Sequence, residues 1–323
     1  MPKLSVIIPC YYNEANIPVT TRILIENEAA FPADTTFEYV LVDDGSKDET
    51  YAALQRFQRL YPERVTVVRL AGNVGSYNAI VAGMQYATGD VNVILTADMQ
   101  DPPALMVQML EHWRGGFKLV IANRAARKEG FFKTLLAETF HWLMKRLALR
   151  NMPDGGFDFV LFDRQIKDRI LQMSERNSNI FYLMVWMGYA YVNIPYVRQA
   201  RAIGKSRWTL QKRVKLLIDS LLSFSFFPVR AITVSGLVLG VVALLYAFYI
   251  LAIKLFGAIS VPGWTALMVV VLFVSAFQMI ALGVIGEYVW RTLDAARRRP
   301  LYVEDEVHRA QPRPADAAAD ERR

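Results

Sequence analysis

Short apolar runs alternate with amphipathic helical patterns through the amino-terminal part of the chain. Five runs have strand length and are rich in β-branched residues: 4–9, 37–44, 64–70, 91–98 and 118–123. Helical patterns lie between them, at residues 16–30, 50–61, 75–87 and 102–113. This alternation indicates βαβ units, and strands that are apolar throughout indicate a mostly parallel sheet with helices on both faces. We therefore predict an α/β domain over residues 1–208.

The carboxyl-terminal third has a different pattern, with two long apolar segments at 231–253 and 264–286 that contain no charged residue. At about 1.5 Å per residue each helix would cover the ~30 Å hydrocarbon core of a bilayer. We predict a juxtamembrane amphipathic helix at 209–228, a two-span transmembrane hairpin at 229–290, and a partly disordered tail at 291–323. A further amphipathic pattern at 131–149 fits either a surface helix on the domain or a helix lying on the membrane.

The positive charge is concentrated beside the two apolar segments. The formal net charge is +7, and basic residues precede the first segment and follow the second, whereas the connection carries only Lys254. By the positive-inside rule, both termini and the globular domain lie in the cytoplasm and the protein is a multi-pass protein of the inner membrane. This location favours anionic lipid over nucleic acid as a partner. The single cysteine, Cys10, excludes an internal disulfide.

Polar residues follow each predicted strand, and the carboxyl ends of parallel strands meet at one edge of a sheet, where ligands bind. The segments are 9–14, 42–46, 73–78 and 96–101, together with Asn123 and Arg124. Oxygens of Asp98, Gln100 and Asp101 can hold a hard divalent cation, which can hold a diphosphate. Local structure offers other interpretations: 46–49 as a capping box, and Asp101 before two prolines as a helix N-cap.

The segments PCYYNE, VDDGS and TADMQDPP resemble the nucleotide-sugar motifs of the family 2 glycosyltransferases, and the resemblance covers essentially the whole chain. It implies a GT-A fold and a nucleotide-diphosphate-sugar donor. The hairpin, together with RAIGKSRWTLQKRVKLLIDSLLSFSFFP before it and GEYVWRTLDAARRRPLY at its end, is similar to the polyisoprenyl-phosphate glycosyltransferases. That group contains the dolichol-phosphate mannose synthases and the bacterial undecaprenyl-phosphate sugar transferases.

The resemblance also implies roles for individual residues. The nucleotide sugar would contact Pro9, Tyr11, Asn13, Glu14, Asp43, Asp44, Asn73, Gly75 and Asp98. Asp98 and Gln100 would hold Mg²⁺ or Mn²⁺, and the lipid phosphate would meet Arg124, Arg201, Lys205 and Arg207. The catalytic set would be Asp98, Arg124 and Asp158, with Asp158 orienting the acceptor or taking a residual proton. Structural roles remain open: Pro9 ending a strand, Tyr11 packing, Glu14 capping a helix, Arg124 in a surface ion pair, Asp158 as a turn residue, and Asp163 as a helix cap.

The chain departs from the family pattern at two positions. Thr96 stands where the family commonly has the first aspartate of an Asp-x-Asp motif, and Val160 stands where relatives often have an arginine. One carboxylate, an amide oxygen, donor phosphates and water can still complete six-fold coordination. Metal preference therefore stays open.

A lipid monophosphate is ionised near neutral pH and is its own nucleophile. Metal and arginine would cancel the repulsion between acceptor and donor phosphates, and in-line attack would invert the anomeric carbon. We therefore predict inverting transfer from a UDP-sugar to undecaprenyl phosphate, by a homo-oligomer. Two alternatives remain. One is a processive polysaccharide synthase, although Gly204 stands where its Gln-x-x-Arg-Trp motif needs glutamine. The other is a non-catalytic membrane adaptor that binds nucleotide sugars.

Overall fold

The computed structural model describes residues 1–124, 142, 144–149, 151–153, 157–173, 178–199, 218–255 and 263–311. The strands are β1 (Lys3–Cys10), β2 (Thr36–Asp43), β3 (Val65–Leu70), β4 (Val91–Ile94), β5 (Leu119–Arg124), β6 (Phe157–Asp163), β7 (Tyr191–Tyr196) and β8 (Glu304–His308). The helices are α1 (Ile17–Asn27), α2 (Thr50–Leu60), α3 (Ser76–Tyr86), α4 (Leu105–Arg114), α5 (Arg164–Leu171), α6 (Ile180–Trp186), α7 (Phe227–Leu255) and α8 (Trp264–Ala296).

All strands belong to one sheet, in the order β7-β5-β6-β4-β1-β2-β3-β8. The strands β1, β2, β3 and β4 are parallel, and β6 runs antiparallel to both β4 and β5. Because β6 reverses direction on both sides, β5 runs the same way as β4. The five predicted strands are therefore mutually parallel, and the predicted α/β architecture with a mostly parallel sheet and helices on both faces is confirmed.

The sheet is covered on both faces, as its continuous apolar strands predict. Alternate residues of β1 point to opposite sides: Leu4, Val6 and Ile8 pack in one buried cluster with residues of α1, α2 and α4. Ile7 packs in the other cluster, with residues of α3, α5 and α6. This two-sided burial fixes the strands, so the loops at their ends are held in place by a rigid frame.

Two local predictions about helix starts are wrong. The helix α2 begins at Thr50 with no side-chain cap from Glu49, so 46–49 is not a capping box. The helix α4 begins at Leu105 after Ala104, and Asp101 does not cap it. Both acidic segments make longer-range contacts instead, as described below. The cap predicted at Asp163 is confirmed, since its side chain accepts a hydrogen bond from the N–H of Gln165 at 2.8 Å.

The helices α7 and α8 are long and apolar enough to cross a membrane, and the most apolar stretch of each is not buried against the rest of the described chain. Before α7, residues 218–224 are helical, and Asp219 there pairs with Arg291 of α8 at 2.6 Å. The rest of the predicted juxtamembrane helix, and most of the 131–149 pattern, lie outside the described residues.

The tail after the second apolar helix returns to the sheet. Residues Glu304–His308 form β8, which pairs antiparallel with β3 at the edge of the sheet. The prediction of disorder is wrong for this segment, because β3 offers an unpaired edge that a short strand can complete. Residues 312–323 lie outside the described part of the chain.

Candidate active site

The carboxyl ends of β1 to β5 lie along one edge of the sheet, which brings the five predicted polar segments to the same side. The antiparallel strand β6 begins at this edge, and its second residue, Asp158, lies there. Its register shifts so that Ala122 pairs with Phe159 and Asn123 with Phe157. Asp158 is thus the extra residue of a β-bulge, a distortion that redirects a side chain.

The loop after β1 is fixed by its own polar residues. The N–H of Tyr11 donates to Asn13 Oδ1 at 2.8 Å, and the N–H of Asn13 donates to Thr50 Oγ1 at 2.8 Å. Tyr12 adopts a left-handed conformation with φ 54°. A carboxylate oxygen of Glu14 accepts from the N–H of Glu49 at 2.9 Å, just before α2. Glu14 therefore has the helix-terminus role that the sequence left open, while Tyr11 is 37% exposed.

Asp44 anchors the loop after β3. Its carboxylate accepts from the N–H of Val74 at 2.7 Å, the N–H of Gly75 at 3.1 Å and the side-chain amide of Asn73 at 2.9 Å. Gly75 needs its φ of +88°, which L side chains rarely adopt. Burial raises the pKa of Asp44 to about 6, against the lowering effect of the two backbone donors. Asp44 thus holds the loop of residues 73–75 in position.

Asp43 lies one residue earlier and is fully buried. Its Oδ1 accepts from the N–H of Ser46 at 3.1 Å, and its Oδ2 lies 4.0 Å from the guanidinium of Arg69. Burial raises the pKa of Asp43, while Ser46 and Arg69 lower it. Arg69 also pairs with Glu306 of β8 at 3.6 Å, so β8 is connected to Asp43 through Arg69. Pro9 is part of β1 and does not end it.

The loop after β4 carries the candidate metal ligands. The strand ends at Ile94 rather than at Asp98. The hydroxyl of Thr96 lies 2.9 Å from Asp98 Oδ1 and 3.0 Å from Asp101 Oδ2, and its single hydrogen can be donated to only one of them. The side-chain NH₂ of Gln100 donates to the carbonyl of Gln199 at 3.1 Å. The amide oxygen of Gln100 is therefore its candidate ligand atom.

This donor set fits a hard divalent cation. Asp98 supplies a carboxylate, Thr96 a hydroxyl and Gln100 an amide, all oxygen atoms of the kind that Mg²⁺ and Mn²⁺ prefer. Among the described residues, no three His, Cys, Asp or Glu side chains are grouped to hold a metal. A cation bound here would take its remaining ligands from phosphate oxygens and water, as Mg²⁺ commonly does.

Asp101 is fully buried and belongs to a network that the sequence did not reveal. It accepts from the hydroxyl of Tyr196 and lies 3.3 Å from the guanidinium of Arg198. Burial raises the pKa of Asp101, while Arg198 and Tyr196 lower it. The N–H of Gln199 donates to the carbonyl of Gln100 at 3.0 Å. The carboxyl end of β7 is therefore tied to the candidate metal loop.

Arg124 and Asp158 form an ion pair where β5 ends and β6 begins. Arg124 also interacts electrostatically with the hydroxyl of Tyr196. Burial opposes the charge of Arg124, but Asp158 and Tyr196 outweigh burial and raise its pKa. A continuous polar chain thus runs from Asp101 through Tyr196 to Arg124 and Asp158, which joins the two halves of the site.

The sequence model of glycosyl transferase family 2 matches residues 5–171. The chain belongs to this family. The uncharacterized glycosyltransferase YkcC of Bacillus subtilis strain 168 is 35% identical over 302 residues, 93% of each chain. A prophage bactoprenol glucosyl transferase homolog of Escherichia coli K12 is 33% identical over 93% of this chain and 98% of its own. A mannosyltransferase of Pyrobaculum calidifontis, solved with GDP-Man and Mn²⁺, is 18% identical over 91% of this chain and 84% of that one, with a TM-score of 0.44.

As a family 2 glycosyltransferase, the protein brings most of its predicted site residues to one edge of the sheet. Arg201, Lys205 and Arg207 lie outside the described residues. Tyr196 was not predicted, although a tyrosine at the carboxyl end of a short β-branched run is a signal that could have pointed to it. Arg198 was counted only as a flanking charge. The roles of all these residues stay predictions.

Proposed function

We propose that this glycosyltransferase transfers a sugar, with inversion, from a UDP-sugar to undecaprenyl phosphate at the cytoplasmic face of the inner membrane. One observation carries the proposal: a cluster of hard oxygen ligands and a charged arginine lie at one edge of a sheet whose chain also holds two helices of membrane-spanning length. Bactoprenol glucosyl transferases of Shigella phages SfII and SfV, each 30% identical over more than nine tenths of this chain, support a polyisoprenyl acceptor.

On the donor side, Asp98 and Gln100 hold Mg²⁺ or Mn²⁺. A bound cation supplies stabilisation of the departing diphosphate. Tyr11, which is 37% exposed, contacts the nucleoside together with Pro9, Asn13 and Glu14. Asp43 and Asp44 support the donor site indirectly, because both are buried and Asp44 holds the loop of Asn73 and Gly75 in place.

On the acceptor side, Arg124 meets the lipid phosphate. The phosphate needs no general base, because it is already ionised near neutral pH. The guanidinium neutralises part of its charge and so lets it approach the anionic donor. Arg201, Lys205 and Arg207 join Arg124 on the strength of the family resemblance. In-line attack from the face opposite the diphosphate inverts the anomeric carbon.

The membrane topology of this proposal is a hairpin. The strand β8 follows α8 and pairs with β3, so the chain after the second apolar helix lies on the same side as the globular domain. An even number of crossings meets this condition. By the positive-inside rule, the basic residues beside both spans support a cytoplasmic location for the domain 1–208 and the tail. We also propose a homo-oligomer, in which the exposed apolar helices of several copies pack together.

The proposal is tested with the full chain purified in detergent, undecaprenyl phosphate, Mn²⁺ and radiolabelled UDP-sugars. We expect label in the lipid extract and at least about a hundredfold loss in Asp98→Asn, since removing a charge-stabilising group typically costs 10²–10³ in rate. Glu26→Gln, which changes an exposed carboxylate on α1, is the matched control. Anomeric assignment of the product by NMR tests inversion.

Three outcomes would count against the proposal. An absence of lipid-extractable label with every donor would favour the adaptor, and label in long polymer would favour the processive synthase. Retention of the anomeric configuration would refute the in-line mechanism.

A further inference from the structure

Within the described part of the chain, the ion pair of Arg124 and Asp158 contains two buried polar atoms that form no hydrogen bond. One terminal nitrogen of the guanidinium donates to Asp158 Oδ2. Among the described residues, Arg124 Nε and Asp158 Oδ1 are buried and have no hydrogen-bond partner. The strongest arginine–carboxylate pairs are bidentate and leave no such atoms. The observed contact is therefore a one-point pairing between groups that retain unused hydrogen-bonding capacity, which is rare for buried atoms.

A phosphate on Arg124 would compete with Asp158 for the same guanidinium. A phosphate monoester carries a charge of about −1.5 to −2 at neutral pH, against −1 for a carboxylate. It also offers three acceptor oxygens, which suit the guanidinium fork and can engage Arg124 Nε. A dianion supplies no hydrogen for Asp158 Oδ1, and like charges at contact distance repel strongly in a partly buried site. Both anions cannot remain on Arg124 in the observed geometry.

We propose that Asp158 is an internal stand-in for the acceptor phosphate: it pairs with Arg124 until a phosphate monoester takes the guanidinium and displaces the carboxylate. This inference rests on the proposed function. Asp158 keeps the partly buried charge of Arg124 paired while the site is empty of acceptor, because an unpaired charge in a partly buried site is unfavourable. It also excludes anions too weakly charged to displace a carboxylate.

The inference is tested by calorimetry, which measures the binding of a short-chain isoprenyl monophosphate to the full chain in detergent. We expect Asp158→Asn to bind this probe at least about tenfold more tightly than the wild type, because the competing charge is gone. If Asp158 merely oriented Arg124, the same substitution would weaken binding. Unchanged or weaker binding by a folded Asp158→Asn variant would overturn the inference.

The binding assay separates this inference from the proposed function. A wild-type protein that binds UDP with Mn²⁺ but binds no isoprenyl monophosphate would overturn the acceptor assignment, and the inference with it. A wild-type protein that binds both, and an Asp158→Asn variant that gains no affinity, would overturn the stand-in role alone.

Discussion

The hydroxyl of Tyr196 joins the candidate metal loop to the acceptor side of the site, and removing it is a sharp test of that connection. The hydroxyl donates to Asp101 and interacts with Arg124, whose pKa it raises. Tyr196→Phe keeps the ring, which packs edge-on against Phe159. The substitution therefore deletes one oxygen atom and leaves the surrounding packing unchanged.

The expected loss follows from the burial of Asp101. Its carboxylate is 0% exposed and has three compensating contacts, from Thr96 at 3.0 Å, Arg198 at 3.3 Å and Tyr196. A hydrogen bond to a charged group contributes about 1.5–3 kcal/mol, so we expect Tyr196→Phe to lower the free energy of unfolding by about 2 kcal/mol. For a domain of this size, each kcal/mol shifts the melting temperature by roughly 2–4 °C. The variant would therefore melt about 4–8 °C below the wild type.

Thermal unfolding of the full chain in detergent, followed by intrinsic fluorescence, measures the shift. Tyr61→Phe is the matched control, because within the described part of the chain no hydrogen bond from the Tyr61 hydroxyl is present and Arg64 contacts only its ring. We also expect weaker Mn²⁺ binding in Tyr196→Phe, measured by electron paramagnetic resonance, since Asp101 holds Thr96 beside the candidate ligands. A variant that melts and binds Mn²⁺ like the wild type would refute the connection.

Three further predictions concern other parts of the site and its frame. Because the carboxylate form of Asp44 holds its N–H donors and its pKa is about 6, UDP affinity should fall as the pH drops from 7.5 to 5.5, and Asp44→Asn should flatten this profile; a wild-type affinity that is constant with pH contradicts the role. Thr96→Asp adds a second carboxylate beside Asp98 and should tighten Mn²⁺ binding at least about tenfold by paramagnetic resonance, whereas equal or weaker binding would exclude this loop as the metal site. In Gly83→Ala a Cβ would meet Ile7 Cγ2 at 2.6 Å, so overpacking should lower the unfolding free energy by about 1–3 kcal/mol; Gly72→Ala, with nothing within 4 Å, is the control in the same melting assay.

The sequence by itself determined the parallel part of the sheet and the edge at which ligands bind. The five runs predicted at 4–9, 37–44, 64–70, 91–98 and 118–123 are all present as strands, although the fourth strand ends at Ile94, because period and β-branched composition are local signals that burial on two faces reinforces. The two long apolar helices are predicted for the same reason, since apolar length is read directly from the chain. Because the strands are parallel, the polar segments that follow them lie at one edge of the sheet.

Only the tertiary structure decided what those polar residues contact. Glu14 meets the start of α2, Asp101 meets Tyr196, and Arg124 meets Asp158, and each pair is far apart in sequence. Local motifs suggested caps at 46–49 and Asp101, because capping rules consider only neighbouring residues in the sequence and take no account of a partner from another strand. The strand β8 was missed for a similar reason: five mostly polar residues become a strand only because the open edge of β3 pairs with them. The physical distinction is between periodicity, which is local, and the pairing of polar side chains from distant segments, which depends on how the strands are ordered in the sheet.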